Sequence, residues 1–208
     1  MEKCNLFKES GGLYDSSEFD FTLEYLKSIC HPIVKTLRIN CRNTEQIARR
    51  TSILTSTPHA KYLKVSGPKV VTKKYESKRD FLKQIKEAIM SLLASGINAK
   101  DIVILSPRKK CNSVLSGINS ICNLSIVEKN DISTSEKNSI NYYTVQSFKG
   151  LESKIVFYVD MFGFESLENR MLNYVGMSRA QIRLYLFFDL NLTEEYSDAI
   201  DKGEDLLL

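Results

Sequence analysis

Residues 101–106 read DIVILS, four apolar residues in an unbroken row with Pro107 immediately after. Such a run has no polar side to turn toward water, so it suits a strand buried on both faces, as in a parallel sheet covered by helices. Upstream, Ser77 is a helix cap for a stretch whose apolar residues Phe81, Leu82, Ile85, Ile89, Leu92 and Leu93 recur at helical spacing, and Gly96 ends it. Before that lie two strand candidates, VKTLRIN (34–40) and KVVTKKY (69–75), separated by a helix that starts from Asn43 or Thr44 and runs to about Leu54. Downstream, a short helix is expected near Ser113–Ile118 and a strand near Leu124–Val127. The polar stretch 128–139 then reads as a surface loop. INYYTV (140–145), SKIVFYVD (153–160) and RLYLFFD (183–189) are three more strands, with a helix around Leu167–Met177 between the last two. Strands alternating with helices predict an α/β fold, a mostly parallel sheet with helices on both faces.

Size and composition agree. The chain has 208 residues, 43% hydrophobic and 26% charged, enough for one domain with a proper core. No apolar run approaches the roughly 20 residues a membrane span needs, the first residues MEKCNLFKESGG have no apolar signal core, and a cytoplasmic location is expected. Five cysteines without a C-x-x-C pair read as free thiols rather than a zinc site, and with His31 and His59 far apart no metal is assigned. The net charge of +4 is unevenly spread. Nine basic residues against two acids lie between Lys61 and Lys86, either a solvated face or a polyanion contact, while the segment after Leu192 is acidic. The expected organisation is a partial N-terminal segment over 1–30, a domain over 31–192 and an acidic tail over 193–208.

In an open α/β sheet, ligands gather at the carboxyl ends of strands. INYYTV delivers Gln146, Ser147, Lys149, Gly150 and Glu152 toward such an edge. Gly150 permits a turn closed to other residues, and Lys149 and Glu152 can address a phosphate and a sugar hydroxyl, or be an ordinary polar connection. Arg179 stands between a helix and a buried-looking strand, where it neutralises the helix end or reaches a terminal phosphate. Arg42, beside Thr44, raises the same choice after the first strand.

Three such junctions occur in an order that carries a resemblance. LRINCRNTEQIA (37–48) resembles motif IV of superfamily 1 helicases, L-x-x-N-Y-R-S. YYTVQSFKGLESKIVFYV (142–159) resembles motif V, T-x-H-x-x-K-G-L-E before an apolar strand. LNYVGMSRAQIRLYLFF (172–188) resembles motif VI, Y-V-x-x-T-R-A-x-x-x-L. Over residues 34–189 the chain is similar to the second RecA-like motor domain of the UvrD/Rep branch. GGLYDSSEFDF, at the N-terminal end, resembles the end of motif III, with Glu18 in place of glutamine.

The resemblance implies that ATP with Mg²⁺ lies between this domain and a partner RecA-like domain, the N-terminal helicase half, supplied in cis or in trans. It implies that Arg42 and Arg179 touch the γ-phosphate, that Glu152 accepts the ribose hydroxyl with Lys149 and Gly150 beside it, and that Thr144, Gln146 and Ser147 face single-stranded DNA. Cys41 stands where the family commonly stacks a tyrosine on adenine, and Gln146 replaces a common histidine. No G-x-x-x-x-G-K-[ST] loop occurs anywhere, and no apolar strand ends in Asp-Glu. The chain alone is therefore expected not to hydrolyse ATP. The alternative is a stand-alone helicase-like module that binds nucleic acid or a protein without catalysis.

Overall fold

The computed structural model describes residues 39–57, 65–129 and 138–205, together with residues 7, 8, 25, 28, 29, 35, 36, 61 and 62. In chain order, β1 (Phe7–Lys8), β2 (Lys35–Thr36) and β3 (Ile39–Asn40) precede α1 (Glu45–Thr55), β4 (Lys61–Tyr62), β5 (Val71–Tyr75) and α2 (Lys78–Ala94). Next come β6 (Ile102–Ser106), β7 (Ser120–Ile121), β8 (Leu124–Glu128), β9 (Ser139–Thr144) and β10 (Ser153–Tyr158). The order closes with α3 (Leu167–Met177), β11 (Ala180–Asp189) and α4 (Thr193–Asp205). Residues 102–106 of the DIVILS run form β6, and all five are buried.

The main sheet has seven strands in the order β5-β11-β10-β6-β9-β8-β7. Every neighbouring pair is parallel except the β7–β8 hairpin at one edge. Alternate residues of the central strands feed two cores. Ile102, Ile104, Ile155, Phe157, Tyr185 and Phe187 point to the side covered by α2, whose Phe81, Ile85, Ile89 and Leu92 complete that core. Val103, Leu105, Val156, Tyr158, Leu186 and Phe188 point to the opposite side, against α1, α3 and α4. A buried side chain of this kind stabilises by about 1.5–3 kcal/mol, so both faces depend on helical cover. The mostly parallel α/β sheet read from the sequence is the sheet observed.

The helix boundaries follow the caps. Ser77 Oγ accepts the Asp80 N–H at 3.2 Å at the start of α2, and Gly96 beyond its end takes a φ of +84°. Ser166 Oγ caps α3 through the Asn169 N–H at 3.1 Å. The acidic segment after Leu192 is the helix α4, which turns Tyr196 and Ala199 into the core and leaves Glu194, Asp198, Asp201 and Glu204 exposed. It lies close on α1, because Gly203 abuts the Ile53 carbonyl where an added Cβ would come within 2.1 Å.

Two expectations change. The helix near Ser113–Ile118 is a series of turns, with a single 3₁₀ turn at Lys110–Asn112 before it. The closures there are one residue short of a helical turn, the Ser116 N–H to the Ser113 carbonyl at 2.9 Å and the Ile118 N–H to the Leu115 carbonyl at 3.0 Å. Gly117 takes a φ of +76° that ends the run, while Ser113 Oγ and the Val114 N–H donate to Asp160. The strand candidate 34–40 contributes two separate pieces, β2 and β3, which pair with β1 and β4 outside the main sheet. The motif III resemblance around Glu18 and most of the loop 128–139 lie outside the described residues.

Gly176, in α3, is a further point of close approach. An added Cβ would sit 2.6 Å from the Tyr158 ring, whose hydroxyl donates to Asn173 Oδ1 at 3.0 Å and so holds the ring in place. Gly176→Ala is expected to cost about 1–3 kcal/mol through overpacking, measured as a lower denaturant midpoint. An unchanged midpoint would show that the ring yields freely.

Candidate functional site

The strand directions sort the candidate residues into two groups. Glu152 precedes Ser153, the first residue of β10, and Arg179 precedes Ala180, the first residue of β11, so both stand at the amino edge of the sheet. Thr144 and the turn that follows it stand at the carboxyl edge, beside Ser106. Residues 145–152 join the two edges, crossing over β6 with Val145 and Phe148 buried in the core beneath α1 and α3. The single carboxyl-edge cluster expected from the sequence is thus divided between opposite ends.

At the amino edge three distant stretches meet. Arg42 Nε forms an ion pair with Glu152 Oε1, and Gln181 Nε2 donates to Glu152 Oε2 at 2.9 Å. Asn40 Oδ1 accepts the backbone N–H groups of Arg42 and Asn43 at 3.0 and 3.2 Å, curling the loop that carries Arg42. Asn43 Nδ2 donates to the carbonyls of Ser178 and Ala180, at 2.9 and 2.5 Å, so it spans Arg179 from both sides. The expectation that Asn43 or Thr44 caps α1 is met by position only. Thr44 is the N-cap, but its side chain makes no capping bond, and the Asn43 amide is committed to the neighbouring stretch.

Burial separates the two arginines. Arg42 and Glu152 have side chains 35% and 31% exposed, a pair on the rim that a ligand can reach. Arg179 is only 8% exposed, and its carbonyl accepts the Ser153 N–H at 3.1 Å. A solvated helix-end arginine would not look like this, since arginine is rarely so buried unless it is engaged. Lys149 and Gly150 are exposed at the turn before Glu152, and Gly150 takes a φ of +83° that a side chain would strain.

At the carboxyl edge, Thr144 and Ser147 close a compact turn. Thr144 N–H reaches Ser147 Oγ, and Ser147 N–H reaches Thr144 Oγ1, each at 3.0 Å, while Gln146 is exposed at the tip. Next to it Asp160 accepts Ser106 Oγ at 2.7 Å, Ser113 Oγ at 2.5 Å and the Val114 N–H at 2.8 Å. It takes a φ of +55° and is 8% exposed, so it is a structural anchor. Asp189 accepts the Asn191 N–H at 2.9 Å, in the turn-forming role expected of a lone strand-end aspartate.

Burial raises the tyrosines near Asp160 out of their usual range. Tyr142 is pushed up to about 12, chiefly by burial and further by the carboxylates of Asp160 and Glu128. Tyr75 and Tyr158 are raised still further, again by burial first and Asp160 next. Tyrosines in an unfolded chain ionise near pH 10. The stabilisation is therefore complete below about pH 10 and is lost as pH rises through about 12, because the folded state keeps protons the unfolded state releases. Denaturant midpoints are expected to fall steeply over that window, together with a late rise in tyrosinate absorbance. Tyrosinate appearing near pH 10 in the folded chain would contradict this.

Residues 142–187 match the family model described as the UvrD-like helicase C-terminal domain. This stretch is similar to that domain. It holds the end of β9, the crossing segment with Glu152, β10, α3 and Arg179, so it contributes to both edges above. Arg42 lies outside the matched span and joins it through the Glu152 ion pair. The fold is shared with the C-terminal domain of a possible DNA helicase from Lactobacillus plantarum WCFS1. That match has a TM-score of 0.60 at 14% identity, covering 79% of this chain and 96% of that one. The C-terminal part of the Fun30 ATPase domain is more distant, with a TM-score of 0.37 at 15% identity over 62% of this chain and 44% of that one. No curated protein matches the sequence. No helix among the described residues is long and apolar enough to cross a membrane.

Proposed function

We propose that this UvrD-like chain is the second RecA-like motor domain of an ATP-dependent DNA helicase, closing on a nucleotide held by a phosphate-binding-loop domain. The observation that carries this reading is the amino edge itself, where Arg42, Glu152 and Arg179, from three separate stretches, are tied together through Asn43 and Gln181. In that role the guanidinium groups of Arg42 and Arg179 meet the charge that spreads over the γ-phosphoryl oxygens. The Glu152 carboxylate accepts a ribose hydroxyl, and the exposed Lys149 beside Gly150 adds a positive charge at the same rim. Thr144, Gln146 and Ser147 face single-stranded DNA from the opposite edge.

The charges present suit a polyphosphate. Arg42 and Arg179 both belong to one edge, and the Glu152 carboxylate there is already partnered by Arg42. ATP with Mg²⁺ supplies the transferable phosphoryl group and neutralises its charge. Among the described residues no cluster of three or more His, Cys, Asp or Glu side chains can hold a metal, so in this reading the partner domain carries the ion.

The isolated chain is expected to show no ATP hydrolysis above background, with or without single-stranded DNA. Steady DNA-stimulated turnover by the pure chain, abolished by Arg179→Ala, would overturn the half-motor reading. If the chain joined to its partner domain bound DNA without ever hydrolysing ATP, a non-catalytic module would be the better description.

A further inference from the structure

We infer that Glu152 holds Arg42 in reserve until the ribose of a nucleotide takes its place, with Gln181 as the positioning residue that keeps the carboxylate at its station. The inference rests on the nucleotide-facing reading of the amino edge. The two oxygens of Glu152 are divided between two elements, Oε1 to Arg42 Nε and Oε2 to Gln181 Nε2 at 2.9 Å. The backbone of Gln181 is itself held, because its carbonyl accepts the Thr44 N–H at 3.2 Å. Its position falls on an unspecified place of the motif VI pattern, so the resemblance assigns it no role.

The Arg42 loop is already set by Asn40 and Asn43, so only the Arg42 side chain must move to change partners. The pair is one-third exposed, and ion pairs in such a setting are weak enough to be exchanged. A nucleotide brings both replacements on one molecule. Its sugar hydroxyls donate to the carboxylate, and its phosphate oxygens accept from the guanidinium. The exchange leaves no charge without a partner. An inorganic polyphosphate offers only half of it, because pulling Arg42 away leaves an uncompensated Glu152 carboxylate facing the incoming anion. The amino edge therefore favours nucleoside triphosphates over bare polyphosphate, and sugar recognition is coupled to the release of Arg42.

The test uses the full chain alone, titrated with ATP and with tripolyphosphate without metal and followed by phosphorus NMR. The wild type is expected to bind ATP more tightly than tripolyphosphate. Glu152→Gln should tighten tripolyphosphate by about fivefold or more, the lower end of coupling between linked sites, and erase the preference for ATP. Adding Arg42→Ala to Glu152→Gln should cancel that gain. Gln181→Ala should narrow the ratio of the two affinities, whereas a general loss of structure would weaken both ligands alike. Unchanged tripolyphosphate affinity in Glu152→Gln, a gain that survives Arg42→Ala, or binding of neither ligand by any variant would each overturn the inference. The motor reading is judged separately, by turnover of the chain joined to its partner domain, so either can fail without the other.

Discussion

Arg179→Ala is expected to lower ATP turnover by about 10³–10⁵ when this chain works with a phosphate-binding-loop domain, the usual range for an arginine finger. Negative charge is redistributed onto the γ-phosphoryl oxygens as the phosphoryl group leaves. A guanidinium fixed beside them stabilises that state more than it stabilises bound ATP. Turnover should therefore collapse while nucleotide affinity changes far less. The backbone that carries Arg179 is held on both sides. The Arg179 carbonyl is bonded to Ser153, the Asn43 amide bridges the carbonyls on either side, and the residue is buried to 8% exposure. Arg179→Lys should recover little, since a flexible ammonium does not reproduce a planar fork. Arg42→Ala should also lower turnover, with a larger share of the loss in affinity. Near-wild-type rates for Arg179→Ala in a folded assembly would remove the proposed role.

Asp160→Ala is expected to destabilise the fold by about 3 kcal/mol or more, since each buried partner left unsatisfied costs about 1–3 kcal/mol. Its carboxylate receives two serine hydroxyls and one backbone N–H from the segment 106–114, and it is the main tie between that segment and the end of β10. The residue also stands at a φ of +55°, which aspartate tolerates better than alanine. Asp160→Asn keeps the size and the backbone tolerance but turns one acceptor into a donor aimed at other donors, so it should lie between the two. Equilibrium unfolding of the three proteins gives the order directly. Equal stability of Asp160→Ala and the wild type would mean that water replaces the carboxylate without loss.

Much of the sheet was legible because its signals are local. The unbroken apolar runs of β6, β10 and β11 mark strands with both faces covered, and Ser77 and Gly96 mark the ends of α2 by local chemistry. What could not be read depends on groups far apart in the chain. The turns at 113–117 are anchored to a carboxylate 47 residues away from Ser113. The Asn43 amide is claimed by carbonyls 135 and 137 residues on, which no capping rule anticipates. The separation of Glu152 from Thr144 follows from strand direction, since β9 and β10 both run parallel to β6 and the link must return from the carboxyl edge to the amino edge. Gln181 went unnoticed because only its proximity to Glu152 distinguishes it from any polar strand residue.

The order of the strands has one more effect, on how copies of the chain meet. Among the described residues the main sheet ends at β5 on one side and at the two-residue β7 on the other. An open edge offers unpaired backbone groups to any other strand, and lysines or very short strands are what discourage such growth. Here β5 carries Lys73 and Lys74, part of the basic run read either as a solvated face or as a polyanion contact, and the opposite edge runs out after Ile121. Two molecules brought edge to edge at β5 would have to oppose lysine to lysine. The same charges thus keep this sheet from adding strands of its own kind.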